Sequence, residues 1–329
     1  GMTALAASLV STSVFAGEMS VSGSAAINFE NYKSGGSTST KNSTKAYSMG
    51  NQLTFSGSGE LDNGMTVSLS FILDQNDDST TAGAAYSGGP FDSHSVSISS
   101  DAMGTLKFHG EGGDSAQNAV GDTAAGNIWD NFDGKATSAA KLSESGMGGN
   151  SMHYTLPAMI DGVAVTASYS PNSGKDESDT AYAVVYTGVD GLTVSYGMGT
   201  SDGDAAGSGG TTANADTTSV KASYVYGSVT VAYSDHDHDS NTDTSDQTAS
   251  SMKISYAVSD DISVTYAAEE IDSKASATNI DAEYTKITTS YTSGGMTVSA
   301  NYQEAENIAF STAVGEDMEY YGLSLSFAF

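Results

Sequence analysis

From Met19 to Phe329 the chain alternates apolar and small polar side chains at nearly every step. Met65-Thr66-Val67-Ser68-Leu69-Ser70-Phe71 shows the rhythm, and Leu323-Ser324-Leu325-Ser326-Phe327 repeats it near the end. Successive residues of a strand point to opposite faces, so each such run has one apolar and one polar face. About sixteen runs follow one another with no helical periodicity between them. They are Met19–Glu30, Met49–Leu61, Met65–Asp74, Ser93–Ser100, Gly104–Gly110, Ser151–Leu156, Val163–Tyr169 and Asp179–Thr187. The others are Leu192–Gly199, Thr217–Tyr226, Val229–Ser234, Ala249–Val258, Ile262–Glu269, Ile280–Tyr291, Met296–Gln303 and Met318–Phe329. The fold they predict is all-β: a closed antiparallel transmembrane β-barrel with lipid outside and water inside.

The connections sharpen this picture. Every second one is short: Asp62-Asn63-Gly64, Asp101-Ala102-Met103, Met159–Gly162, Asp190-Gly191, Gly227, Asp260-Asp261 and Ser293-Gly294-Gly295. Asn-Gly, Asp-Gly and Gly-Gly supply the positive φ that tight hairpins need. The alternate connections, such as Ser201–Asp216 and Asp235–Asp246, are long, polar and rich in Gly, Ser and Asp. Sorting turns to one rim and loops to the other is a property of outer-membrane barrels, and a β-sandwich has no need of it. Alternation then turns Val67, Leu69, Phe71, Val194, Tyr196, Val231, Tyr233, Val264, Tyr266, Val298 and Tyr302 outward. Tyr169, Tyr196, Tyr233, Tyr266 and Tyr302 fall at loop-side strand ends, where an aromatic girdle meets lipid headgroups. Small outward residues on the first strand, Gly23 and Ala25, mark a sector that another protein wall can approach, or one where Gly relieves curvature.

Composition agrees. An apolar fraction of 38% is low for a soluble domain, but suits a barrel whose strands each keep one face in water. Disorder is the competing reading of an acidic, Ser- and Gly-rich chain; 18 Tyr and alternating aliphatic residues argue against it outside the loops. The net charge is −29, and every basic residue is Lys. That balance excludes nucleic acid as a partner, since phosphates require clustered cations. Cysteine is absent, which fits passage through an oxidising periplasm. Residues 1–16 read as a signal peptide remnant, with Val14-Phe15-Ala16 at the cleavage site and the mature barrel from about Gly17 to Phe329. No stretch is long and apolar enough for a transmembrane helix.

The opening Met19-Ser20-Val21-Ser22-Gly23, the long segment after Lys107-Phe108-His109-Gly110 and the closing Tyr321–Phe329 together resemble the general diffusion porins of Gram-negative outer membranes. The likeness is nearest to the sixteen-stranded alphaproteobacterial type. It implies a trimer of water-filled barrels in the outer membrane, passing small hydrophilic solutes passively, with no enzymatic activity and no required cofactor. Outer-membrane lipid and lipopolysaccharide would surround it, and the terminal Phe329 would be read by the barrel-assembly machinery.

The longest connection, Glu111–Asn150, is about forty residues long, and a loop of that length usually has a task. The resemblance implies that this third long loop folds into the lumen and narrows it. Glu111, Asp114, Asp122, Asp130 and Asp133 would then present carboxylates to the solute path, attracting cations. Trp129 and Phe132 would pin the loop to the wall. In the family the acids face an Arg cluster; this chain has no Arg. Lys107, Lys221 and Lys253 are the inward cations that could stand in for it, with His109 and His153 nearby in sequence. Inward Glu30, Asp74 and Glu269 make the lumen more negative, so the expectation is cation preference.

Asp235, Asp237 and Asp239 offer oxygens at alternate positions that could wrap a Ca²⁺ ion. The EF-hand Gly and closing Glu are missing, and a solvated acidic outer loop explains the run more simply. No nucleophile elbow or phosphate cradle appears in a strand–turn–helix context. Two other barrel readings stand beside the diffusion porin. One is a substrate-specific channel, which would need a line of lumenal aromatic residues. The other is a non-conducting structural or adhesive barrel.

Overall fold

The computed structural model describes residues 19–34, 45–74, 91–132, 147, 149–171, 178–201, 215–240, 246–274, 280–312 and 317–329. The proposed signal segment lies outside them. Sixteen strands occur in chain order. The first eight are β1 (Met19–Ser34), β2 (Lys45–Glu60), β3 (Thr66–Asp74), β4 (Ser93–Ser100), β5 (Gly104–Glu111), β6 (Ser151–Thr155), β7 (Val163–Pro171) and β8 (Ser178–Val189). The second eight are β9 (Leu192–Ser201), β10 (Ala215–Tyr226), β11 (Val229–Ser240), β12 (Gln247–Ala257), β13 (Ile262–Ser273), β14 (Ala282–Ser293), β15 (Met296–Glu306) and β16 (Met318–Ala328). Each pairs antiparallel with its chain neighbours, and β1 pairs with β16 to close the barrel. At the seam the Gly23 amide donates to the Phe329 carbonyl at 2.7 Å, and Phe329 returns a bond of 3.0 Å.

The pairing separates two faces. Leu69 lies across from Val96, Tyr196 from Val220 and Val231 from Ile254, and these side chains are exposed. In water such a belt would be unstable; against lipid it is the stabilising surface. The other face is polar. One row across β2–β7 reads Ser58, Ser68, Ser97, Lys107, His153 and Ser168, each directly opposite the next.

Several strands extend beyond the alternating pattern on the long-loop side. β11 continues through Asp235 to Ser240, a stretch expected to be loop, with Asp235 opposite Val220 and Asp237 opposite Thr218. Backbone ladders need no apolar side chains, so the strand continues after its hydropathy signal has stopped. Just outside the strands, Asp246 accepts from Lys274 Nζ and the Ser240 amide. Lys274 holds the Asp246 carboxyl below its usual range, so this link persists at neutral pH and is lost as pH falls through that lowered value.

Two glycines illustrate the constraints on the chain. A Cβ at Gly23 would lie 2.6 Å from the Phe329 ring and 2.8 Å from Leu53, so its small size serves the barrel's own seam. Gly104 enters β5 at φ +77°, where a Cβ would overlap the Thr155 carbonyl oxygen and lie 2.8 Å from Pro157 N. Gly64 has φ +80° but open space around it. Gly64→Ala should therefore cost only about 1 kcal/mol of conformational strain. Gly104→Ala should lower the unfolding midpoint distinctly more, because backbone must also move; thermal unfolding of the two variants side by side measures the difference.

Candidate functional site

The described residues 112–132 of the connection between β5 and β6 lie against the polar face of the wall. They include two short 3-10 turns, Ala116–Ala119 and Ile128–Phe132. Successive strands hold them in order. The Ala116 amide donates to Ser168 Oγ of β7 at 2.7 Å. Gln117 donates to Ser219 Oγ of β10 at 2.9 Å and accepts from Thr217 Oγ1 at 2.6 Å. The amides of Ala124 and Ala125 donate to Ser234 of β11 and Ser251 of β12, at 2.8 and 3.2 Å. Glu269 of β13, 3% exposed, accepts from Thr123 Oγ1 at 2.5 Å and the Trp129 amide at 3.0 Å. Asn131 donates to Gln303 of β15 at 2.9 Å.

Packing completes the attachment. Ile128 and Phe132 have no exposed surface and lie in an apolar cluster with Tyr32, Ile271, Tyr284 and Tyr320. Phe132 meets Tyr32 edge-on at 6.4 Å and Tyr284 at 5.9 Å. Trp129 packs against the same cluster. On β9, Gly197 leaves room for the first 3-10 turn, since a Cβ there would lie 2.9 Å from Val120.

This attachment leaves the acids free of it. Asp114, Asp122 and Asp130 are exposed on the segment, and Glu111 is exposed at the end of β5. Asp122 is oriented by Asn127, whose Nδ2 donates to it at 2.9 Å, and Asn127 exchanges two further bonds with Thr123. Asp133 lies outside the described residues.

The cations are distributed differently from the expectation of a facing wall. Lys221 (β10) and Lys253 (β12) stand on strands that the segment covers, and Lys221 Nζ donates to the Asp122 carbonyl at 2.7 Å. Lys107 lies beside the start of the segment, across from His153. His153 Nε2 bonds the Asp114 carbonyl, and the His109 ring lies 4.7 Å from that of His153. Among the described residues, the polar face of β1–β4 carries mostly Ser, Thr, Asn and Gln, with Glu30, Glu60, Asp74, Tyr32 and Ile72, and no Lys.

The three acids of the Ca²⁺ expectation lie along a single strand. Asp235, Asp237 and Asp239 occupy alternate positions of β11, where Cα atoms are about 6.8 Å apart and the side chains stand side by side on one face. A wrapping loop would make them converge. The intervening His236 points to the other face and bonds Ser219 Oγ at 2.8 Å. Among the described residues, no group of three or more His, Cys, Asp or Glu is placed to hold a metal.

Sequence reasoning missed the serine anchors. Ser168, Ser219, Ser234 and Ser251 look like any inward serine of a barrel, and only the covering segment distinguishes them. Glu269 was expected as a lumenal charge; it is buried as an acceptor instead. A single Glu among small inward residues on β13 was the available signal.

A closed sixteen-strand barrel with an apolar belt, a polar face and a segment fastened across that face defines a transmembrane β-barrel channel. The sequence profile of the Gram-negative porins matches residues 1–269 and 188–329, and the chain belongs to that family. It is an integral barrel of the outer membrane, and porins of this family are channels rather than enzymes. Among solved structures, a mutant of the Rh. blastica porin superposes with a TM-score of 0.66 at 17% identity, covering 95% of this chain and 100% of that one. An anion-selective porin from Comamonas acidovorans gives 0.67 at 14%, with the same coverage. No curated protein sequence matches the chain significantly.

Removing the Glu269 carboxylate leaves Thr123 and the Trp129 amide without their acceptor, at a cost of about 1–3 kcal/mol. Glu269→Ala should accelerate hydrogen exchange at the Trp129, Ala124 and Ala125 amides roughly tenfold or more, while strand amides stay protected. Unchanged exchange at those three positions would show that the hydroxyl anchors and the apolar cluster hold the segment without Glu269.

Proposed function

We propose that this chain is a general diffusion porin whose segment 112–132 narrows the water-filled interior and gives it a preference for cations. The observation that carries this reading is a firmly attached segment presenting Asp114, Asp122 and Asp130, exposed, while β1–β4 offer no described cation on their polar face. Fixed carboxylates in a narrow passage lower the energy of cations and raise that of anions. Small hydrophilic solutes pass by diffusion, since no aromatic line on the described polar face would bind one of them in steps.

Assembly into a trimer fits the outer surface of β2 and β3. A trough of about 540 Å³ there is lined by Phe55, Gly57, Gly59, Leu69 and Phe71, a shape that a second copy can fill. Phe329, 74% exposed, suits recognition by the barrel-assembly machinery. Residues 1–16 act as the exported leader in this reading.

The test is the reversal potential of the purified protein in a planar bilayer under a KCl gradient. A cation-selective potential is expected, and Asp114→Asn, Asp122→Asn and Asp130→Asn combined should reduce it by roughly half or more. Anion selectivity of the unsubstituted protein would overturn the account of the constriction. A folded barrel without conductance would favour the structural or adhesive reading.

A further inference from the structure

Beneath the first 3-10 turn, the polar face of β5–β7 and the covering segment line an open cavity of about 270 Å³. This is on the order of nine water volumes. Lys107 and His153 face each other across β5 and β6 on one side of it, and His109 stands one pleat further along. Two lining side chains are deeply buried: Ser115 is 2% exposed and His109 7%. Ser115 Oγ has no hydrogen-bond partner among the described residues. Lys107 makes no ion pair among them. A buried hydroxyl left unpaired is costly, and in a pocket that also holds a lysine it points to an acceptor that fills the space. The one carboxylate of the lining, Asp114, is exposed and therefore sits at the mouth.

We propose that this cavity is a binding site for a small zwitterionic solute of the α-amino-acid class. The solute carboxylate accepts from Ser115 Oγ and Lys107 Nζ at depth, and its ammonium faces Asp114 at the mouth. Lys107 and Asp114 balance one another in formal charge, unlike the chain as a whole, so a dipolar solute suits the lining better than an ion of either sign. An anion alone would meet Asp114, and a cation alone would meet Lys107. A transition metal would find His153 Nε2 committed to the Asp114 carbonyl and an ammonium alongside. The site rests on the porin reading, since solute reaches it from the aqueous interior.

The experiment is open-channel block in a planar bilayer, with L-alanine as the probe at neutral pH in KCl. Alanine should lower the conductance saturably. Potassium acetate and methylammonium chloride should do so at concentrations at least about tenfold higher. Ser115→Ala and Lys107→Met should each raise the half-blocking alanine concentration about tenfold, whereas Lys107→Arg should largely retain block. Block by acetate as strong as that by alanine, or no saturation, overturns the zwitterion site. Loss of KCl conductance in the unsubstituted protein would overturn the channel reading instead.

Discussion

The pairing of β1 with β16 is the constraint on which the rest of this protein depends. In lipid, each backbone N–H and C=O must find its partner within the protein, and only a ring of strands leaves no unpaired edge. The two ends of the chain make this closure directly, through the reciprocal bonds of Gly23 and Phe329. Gly23 also leaves the space into which the Phe329 ring fits. Sixteen strands make a ring too wide for its own side chains to fill, so the interior remains wet and has room for a further piece of chain.

Residues 112–132 of the β5–β6 connection are held mainly by neutral groups. Ser234 and Ser251 accept backbone amides and hydrogen-bond each other at 2.8 Å, an arrangement only short hydroxyl side chains allow so close to a wall. Phe132 supplies the apolar part of the attachment against Tyr32 and Tyr284. Two charged groups join them: Glu269 accepts local bonds, and Lys221 donates to the Asp122 carbonyl. The carboxylates that face solvent belong to other residues.

How much of this was readable in the sequence depends on the length scale of each signal. Two-residue alternation is local and strong, so all sixteen strands and the sense of residues such as Leu69 and Tyr233 could be read directly. Turns at Asn63-Gly64 and Asp190-Gly191 were equally plain, because φ > 0 restricts residue choice. The continuation of β11 into Asp235–Ser240 was hidden, since polar residues on both faces erase the contrast that alternation needs. Gly23 resembled an interface residue because its neighbour Phe329 is more than three hundred positions away. Contacts such as Ala124 to Ser234 and Lys221 to Asp122 depend on the ring's geometry, which no local pattern encodes.

The division between serine anchors and exposed acids has an evolutionary consequence. Among the described residues, Asp114 and Asp130 contribute no side-chain bond to the attachment of the segment, and Asp122 bonds only Asn127 within it. Substitutions at these positions can therefore accumulate without dislodging the segment, whereas the hydroxyl row and Phe132 are under mechanical constraint. On the function proposed above, the charge of the passage can change one residue at a time. The serine bonds that fasten the segment do not respond to such changes, because bonds between neutral groups are indifferent to the ionic strength that screens carboxylates.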